Sequence, residues 1–258
     1  MEAGVHFGHR KSRWNPKMRS FILCERSGIH IIDLEKTLTA LDRACEFLRQ
    51  AAAEKKNIIF VGTRKHATDV IEQEARLSGV HFVHRRWLGG ILTNFQTIHL
   101  RIERLRELDE MRNNGEFYRG SKKAVASLNR EFWKLEKSLG GLKKLRSRPD
   151  VLYVVDRKRE SQAVTEALKL GITVVAIIDT DCDPEGVDYV IPANDDSIRS
   201  LSLITRRLAE AIRSNESLEG GGDLQTSGVP KRPLPTVGGA QFALPIPQSH
   251  QDAAGQEP

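Results

Sequence analysis

Between residues 20 and 214, short apolar runs alternate with longer amphipathic stretches. The runs at 57–61, 80–83, 151–155, 173–178 and 189–191 are rich in β-branched residues, with few polar positions between the apolar ones. Near-continuous apolar segments of that length predict strands buried on both faces, as in a parallel sheet. Stretches with helical spacing separate most of them. Residues 34–54 carry Leu38, Leu41, Cys45 and Leu48 on one face, and residues 65–77 carry Ala67, Val70, Ile71 and Ala75. Residues 160–170 carry Ala163, Val164, Ala167 and Leu168, and 195–214 carry Ile198, Leu201, Ile204, Leu208 and Ile212. Strands alternating with helices, joined by right-handed crossovers, predict a three-layer α/β sandwich.

Residues 96–145 break this rhythm. Ile98, Ile102, Leu105, Leu108 and Met111 form one stripe at spacings of three and four; Val125, Leu128, Phe132, Leu135, Leu139 and Leu142 form another. Asn113-Asn114-Gly115 between them is a turn signal. The pattern predicts an antiparallel helical hairpin with arms of about 30 Å, long enough to project from a small sheet. An ordinary pair of crossover helices would need the same stripes. The expected organisation is thus an α/β domain over 1–95 and 146–216 with the hairpin of 96–145 inserted. After residue 216 come Gly220-Gly221-Gly222 and six prolines with few apolar residues, a composition expected of a disordered tail over 217–258.

Net charge is +6, from 40 Lys and Arg against 34 Asp and Glu, and its distribution matters more than its size. Residues 96–146 hold thirteen cations against seven acids, while 149–217 hold thirteen acids against eight cations. Such polarity suits a protein that lays one side on a polyanion. The three cysteines, Cys24, Cys45 and Cys182, form no CxxC pair, so neither a zinc ribbon nor a disulfide framework is expected, and a reducing, cytoplasmic setting is. No apolar run reaches membrane-span length, and no membrane partner, cofactor or small-molecule substrate is expected.

The N-terminal run from Val5 to Met18 mixes cations, imidazoles and an indole, with Gly8 and Asn15-Pro16 expected to hold it as an irregular loop. Arg10, Arg13 and Lys17 are candidates for phosphate neutralisation there, and Trp14 for stacking or packing. A metal site on His6 and His9 lacks an obvious third ligand. Gly62-Thr63-Arg64-Lys65 lies where α/β sheets bind phosphates, but one glycine makes neither a dinucleotide fingerprint nor a Walker loop, so Arg64 and Lys65 fit RNA phosphate equally well. Arg85, Arg86 and Trp87, followed by Gly89-Gly90, repeat the recipe, and Lys122 and Lys123 sit at the hairpin turn. The sharpest enzymatic alternative is a Mg²⁺-dependent phosphohydrolase using Asp179 and Asp181. Capping and turn formation explain the same carboxylates.

Several runs taken together resemble one family: Glu2-Ala3-Gly4-Val5-His6-Phe7-Gly8-His9, Trp14-Asn15-Pro16-Lys17-Met18, Arg86-Trp87-Leu88-Gly89-Gly90-Ile91-Leu92-Thr93-Asn94, Asp179-Thr180-Asp181-Cys182-Asp183-Pro184 and Ile191-Pro192-Ala193-Asn194-Asp195-Asp196. Shorter matches at Phe60-Val61-Gly62-Thr63 and Leu139-Gly140-Gly141 lie in the same order. The chain is similar to the bacterial and plastid small-subunit ribosomal protein S2 family from residue 2 to about 214. That resemblance implies a flavodoxin-like fold with a five-stranded parallel sheet in order 2-1-3-4-5 and an inserted helical hairpin. It also implies a non-enzymatic role in the small subunit, bound to ribosomal RNA and neighbouring proteins, including the large mRNA-binding ribosomal protein. The setting would be the cytoplasm or a plastid stroma. Members usually carry several residues, forming a first helix, before the Glu-Ala-Gly-Val run. Here Met1 precedes it directly, so a misassigned start or a lost first helix is expected. His84 and Thr173 replace the family's usual Asn and Pro.

Overall fold

The computed structural model describes residues 2–219, with side chains to residue 214. It opens with three strands that the hydrophobic pattern does not announce: β1 (Phe7–Arg10), β2 (Ile22–Arg26) and β3 (Ile29–Ile32), antiparallel in order β1-β3-β2. The N-terminal run is therefore partly strand, which corrects the expectation of an irregular loop. Two causes hide it. β1 is four residues long with Gly, His and Arg at three of them, and the β2 register shifts between Ile22 and Cys24, so simple alternation is lost. Ser27 and Gly28, both at positive φ (51° and 77°), make the tight turn that returns β2 into β3.

The chain then enters α1 (Leu34–Ala53), capped by Asp33, whose side chain accepts from the Glu35 amide. It continues through β4 (Ile58–Val61), α2 (Lys65–Leu77) and β5 (His81–Val83). After a loop come α3 (Phe95–Asn113) and α4 (Lys122–Leu139). The last elements are β6 (Val151–Val155), α5 (Ser161–Lys169), β7 (Thr173–Ile178), β8 (Tyr189–Pro192) and α6 (Ile198–Glu219). Five of the strands form one parallel sheet in order β5-β4-β6-β7-β8, the order expected from the resemblance. Since α6 runs to residue 219, it passes the start expected for the tail; the rest of that tail lies outside the described residues.

Alternation along each strand feeds two cores. Ile58, Phe60, Val151, Tyr153, Val175 and Ile177 face α1, α2 and α6. Ile59, Val61, Leu152, Val154, Val174 and Ala176 face α5, α3 and the loop from Trp87 to Leu92. Helical spacing overreached at three positions: Leu38, Leu168 and Ile198 are exposed (60%, 50% and 56%). The buried stripes run instead through Thr37, Ala44, Cys45 and Leu48 in α1, and through Leu201, Ile204 and Leu208 in α6.

α3 and α4 pack on each other, joined by Asn114, Gly115 at φ 72° and a short 3₁₀ turn over Glu116–Tyr118. Ile98, Ile102, Leu105 and Leu108 of α3 meet Phe132 and Leu139 of α4 within the same buried cluster as Ile59 and Leu152 of the sheet. Arg104 and Glu131 (3.0 Å) bridge the two helices. At the end of α4, Gly141 presses on the edge strand. A Cβ there would lie 2.2 Å from the Phe82 carbonyl oxygen, so glycine is required by close backbone approach.

Candidate nucleic-acid interface

All five parallel strands end at one edge, so Gly62-Thr63-Arg64, Asp156, Asp179-Thr180 and Asn194-Asp195 converge there. In an open α/β sheet that edge is the usual ligand crevice. In this chain its own N-terminal sheet covers it. The His9 amide donates to Thr180 Oγ1 (2.8 Å), the Asn15 amide to the Thr180 carbonyl (2.8 Å), and the Asn194 amide to the Val5 carbonyl (3.0 Å). Gly8 permits the contact: a Cβ would stand 2.6 Å from the Thr180 side chain.

Inside, the carboxylates are mostly occupied. Asp179 Oδ2 holds His9 Nδ1 at 3.1 Å, and its Oδ1 accepts from the Thr180 amide and hydroxyl. Its hydrogen bond, with further attraction from Asp181 and Asp196, lifts the His9 imidazolium to a pKa of about 9 against the cost of burial. Asp181 pairs with Lys158 (3.0 Å), and Arg64 pairs with Asp156 and Asp196. Asp195 is different: burial, reinforced by Asp179 and Asp156, pushes it up to about 8.

The ten cations and aromatics expected to bind RNA divide into two sets. Arg10, Arg13, Lys65, Arg85, Arg86, Lys122 and Lys123 are exposed and have no ion-pair partner among the described residues. Arg10 and Arg13 rim a cleft of about 650 Å³ with Asp179, Asn194 and Asp196 on its other wall. Lys65 opens α2 just past β4, and Arg85 and Arg86 lie on the loop just past β5, at the same edge. Lys122 and Lys123 open α4, behind the Ser121 cap that accepts from the Ala124 amide. The other three are engaged within the protein. Lys17 pairs with Asp183 (3.0 Å) and Glu185, Arg64 belongs to the carboxylate network, and Trp14 is half-buried with its ring 5.2 Å from His30.

Trp87 is no stacking platform. It is buried, and its indole Nε1 donates to Glu166 Oε1. Glu166 is a structural residue that sequence reasoning missed. The available signal was an acid between Ala163, Val164 and Ala167, on the face that α5 buries. Asp156 was also missed: it is a fully buried residue at φ 63°, and a positive φ at a non-glycine leaves no mark in the hydrophobic pattern.

A parallel α/β protein in this strand order, with its own N-terminal sheet laid over the edge where ligands usually bind, is the class of protein that the fold defines. The family model described as Ribosomal protein S2 matches residues 1–215, and the chain belongs to that family. It is 54% identical over 226 residues to the small ribosomal subunit protein uS2 of Dictyoglomus thermophilum, covering 87% of this chain and 92% of that protein. The uS2 of Dictyoglomus turgidum matches with the same identity and coverage. The family consists of structural constituents of the small ribosomal subunit and not of enzymes, so the phosphohydrolase alternative falls and Asp179 and Asp181 serve the structure.

Proposed function

We propose that this chain is held in the small ribosomal subunit by ribosomal RNA, gripped mainly through phosphates and shape. The observation that carries the reading is the gathering of exposed cations without ion-pair partners, Arg10, Arg13, Lys65, Arg85 and Arg86, at one edge of the sheet, with Lys122 and Lys123 at the start of α4. Three of them also stand against local physics. Lys65, Lys122 and Lys123 occupy first turns of helices, where the macrodipole disfavours cations, so an external anion there relieves a cost the free protein bears. Lys17, Arg64 and Trp14 position this surface: Lys17 ties the N-terminal segment to the loop after β7, Arg64 holds the crevice together, and Trp14 packs on His30.

The α/β body of 1–95 and 146–216 carries most of these cations, and the helical pair of 96–145 acts as an inserted hairpin that brings Lys122 and Lys123 to RNA at its turn. Neighbouring small-subunit proteins, the large mRNA-binding one among them, dock on the same body, in a bacterial cytoplasm or a plastid stroma.

The test is equilibrium binding of the full chain to small-subunit RNA across a salt series. Phosphate-dominated binding gives a steep linear fall of log K with log salt, and each lost phosphate contact flattens the slope by about one. Charge reversal at Arg85 and Arg86 should flatten it and weaken binding. An unchanged slope refutes the assignment.

A further inference from the structure

We propose that the cleft between the end of α4, the edge strand β5 and α2 is a docking site for one unstacked nucleobase of the ribosomal RNA, stacked on Trp133 with its phosphate held by Arg85 and Lys137. This site rests on the RNA binding proposed above and adds to it a contact with a base.

The stripe that α4 packs toward α3, Leu128, Phe132, Leu135 and Leu139, leaves the helix a second face. Trp133, Glu136, Lys137 and Gly140 recur along it at helical spacing. With Phe82 and His84 this face lines a cleft of about 390 Å³, within the size range of small-ligand clefts. Trp133 is the anomaly there. Trp87 is buried and Trp14 half-buried, whereas Trp133 is 57% exposed. The Arg112 guanidinium of α3 stands over its ring, 5.4 Å from the centroid, a cation–π contact that fixes the indole. The ring is thus held by the fold and still open to a partner, as a stacking platform must be.

Charge selects the occupant. Both acids of the cleft are neutralised within the protein, Glu72 by Arg76 (2.8 Å) and Glu136 by Lys143 (3.1 Å). Arg85 and Lys137 are exposed, and neither has an ion-pair partner among the described residues. Two free positive charges beside a flat aromatic surface are complementary to a base and the phosphate attached to it. His84 stands 3.5 Å from Glu72, and burial lowers its pKa. Its neutral imidazole can donate to or accept from the edge of a base. The apolar part of the wall is aromatic, from Trp133 and Phe82, with no aliphatic side chain of the kind that would receive a protein partner's Leu or Val.

The experiment is equilibrium binding of the full chain to small-subunit RNA over a salt series, with Trp133→Ala, Trp133→Phe and Arg85→Ala as variants. Trp133→Ala should weaken binding by roughly tenfold at every salt concentration while the slope of log K against log salt stays unchanged, because stacking releases no counterions. Trp133→Phe should recover most of that loss, and Arg85→Ala should flatten the slope. Should Trp133→Ala lose its folded circular dichroism spectrum, fluorescence supplies an independent reading: RNA should quench the share of tryptophan emission that Trp133→Phe removes. Absence of that quenching, or a folded Trp133→Ala that binds RNA as tightly as wild type, would overturn the base site and leave phosphate-dominated binding standing. A wild type without salt-dependent RNA binding would sink both. Wild-type RNA affinity in a Trp133→Ala chain that no longer enters small subunits would also overturn the base site, and would assign the cleft to a neighbouring protein.

Discussion

The Trp87 indole Nε1 donates to Glu166 Oε1 at 3.1 Å, and this bond is one of five that the Glu166 carboxylate accepts from the loop after β5. The others come from the amides of Gly90, Leu92 and Thr93 and from the Thr93 hydroxyl. A single side chain of α5 therefore fixes the conformation of the segment that begins with Arg85 and Arg86. Burial raises the Glu166 carboxyl, and the hydrogen bonds from Gly90, Trp87, Thr93 and Leu92 outweigh it, leaving the pKa below the usual carboxylate range.

Glu166→Ala should accordingly destabilise the protein by about 3 kcal/mol, because it strands several buried donors at once. Urea denaturation measures this directly. Glu166→Gln should cost less, since it retains an acceptor oxygen but turns an amide NH₂ toward N–H groups. Equal stability of Glu166→Ala and wild type would show that the loop finds other partners.

Two glycines in Gly-Gly pairs should behave differently. Gly141→Ala drives a Cβ into the Phe82 backbone, which cannot move without shifting β5, so a loss of about 2 kcal/mol is expected. Gly89→Ala meets only the end of the Gln162 side chain, which can rotate away, so thermal denaturation should show little change.

Stability should also depend on pH through His9. Its pKa rises from 6.5 to about 9 on folding, so the folded state binds the proton more tightly. The stabilisation is fully present below about pH 6.5 and is lost as pH rises through about 9. Wild type should lose stability across that window relative to His9→Gln, and the His9 ring should titrate near the upper limit by NMR. A His9 midpoint near 6.5 would mean that the contact with Asp179 contributes nothing.

Much of this fold was legible in the chain because burial on both faces leaves an unbroken apolar signature. The runs at 151–155 and 173–178 coincide with β6 and β7, and residues 65–77 with α2. The N-terminal sheet was not legible, since its strands are short, bulged and stabilised by contacts with Thr180, far away in sequence. Candidate cations could be picked out as residue types, but not which were free. Arg64 and Arg85 look alike in the chain, yet only long-range folding brings Asp156 and Asp196 to Arg64. Trp87 was misjudged as an RNA contact for the same reason, its partner Glu166 lying 79 residues on.

The central claim is that cations left unpaired by folding hold this chain in the small subunit. Its most direct test is sedimentation of lysates from cells carrying wild type or a variant with Arg85, Arg86, Lys122 and Lys123 changed to Glu, at low and high salt. Wild type should co-migrate with small subunits at low salt and dissociate at high salt, while the variant, shown by circular dichroism to be folded, should stay at the top of the gradient in both. A folded variant that still co-sedimented with small subunits at both salt concentrations would contradict the account.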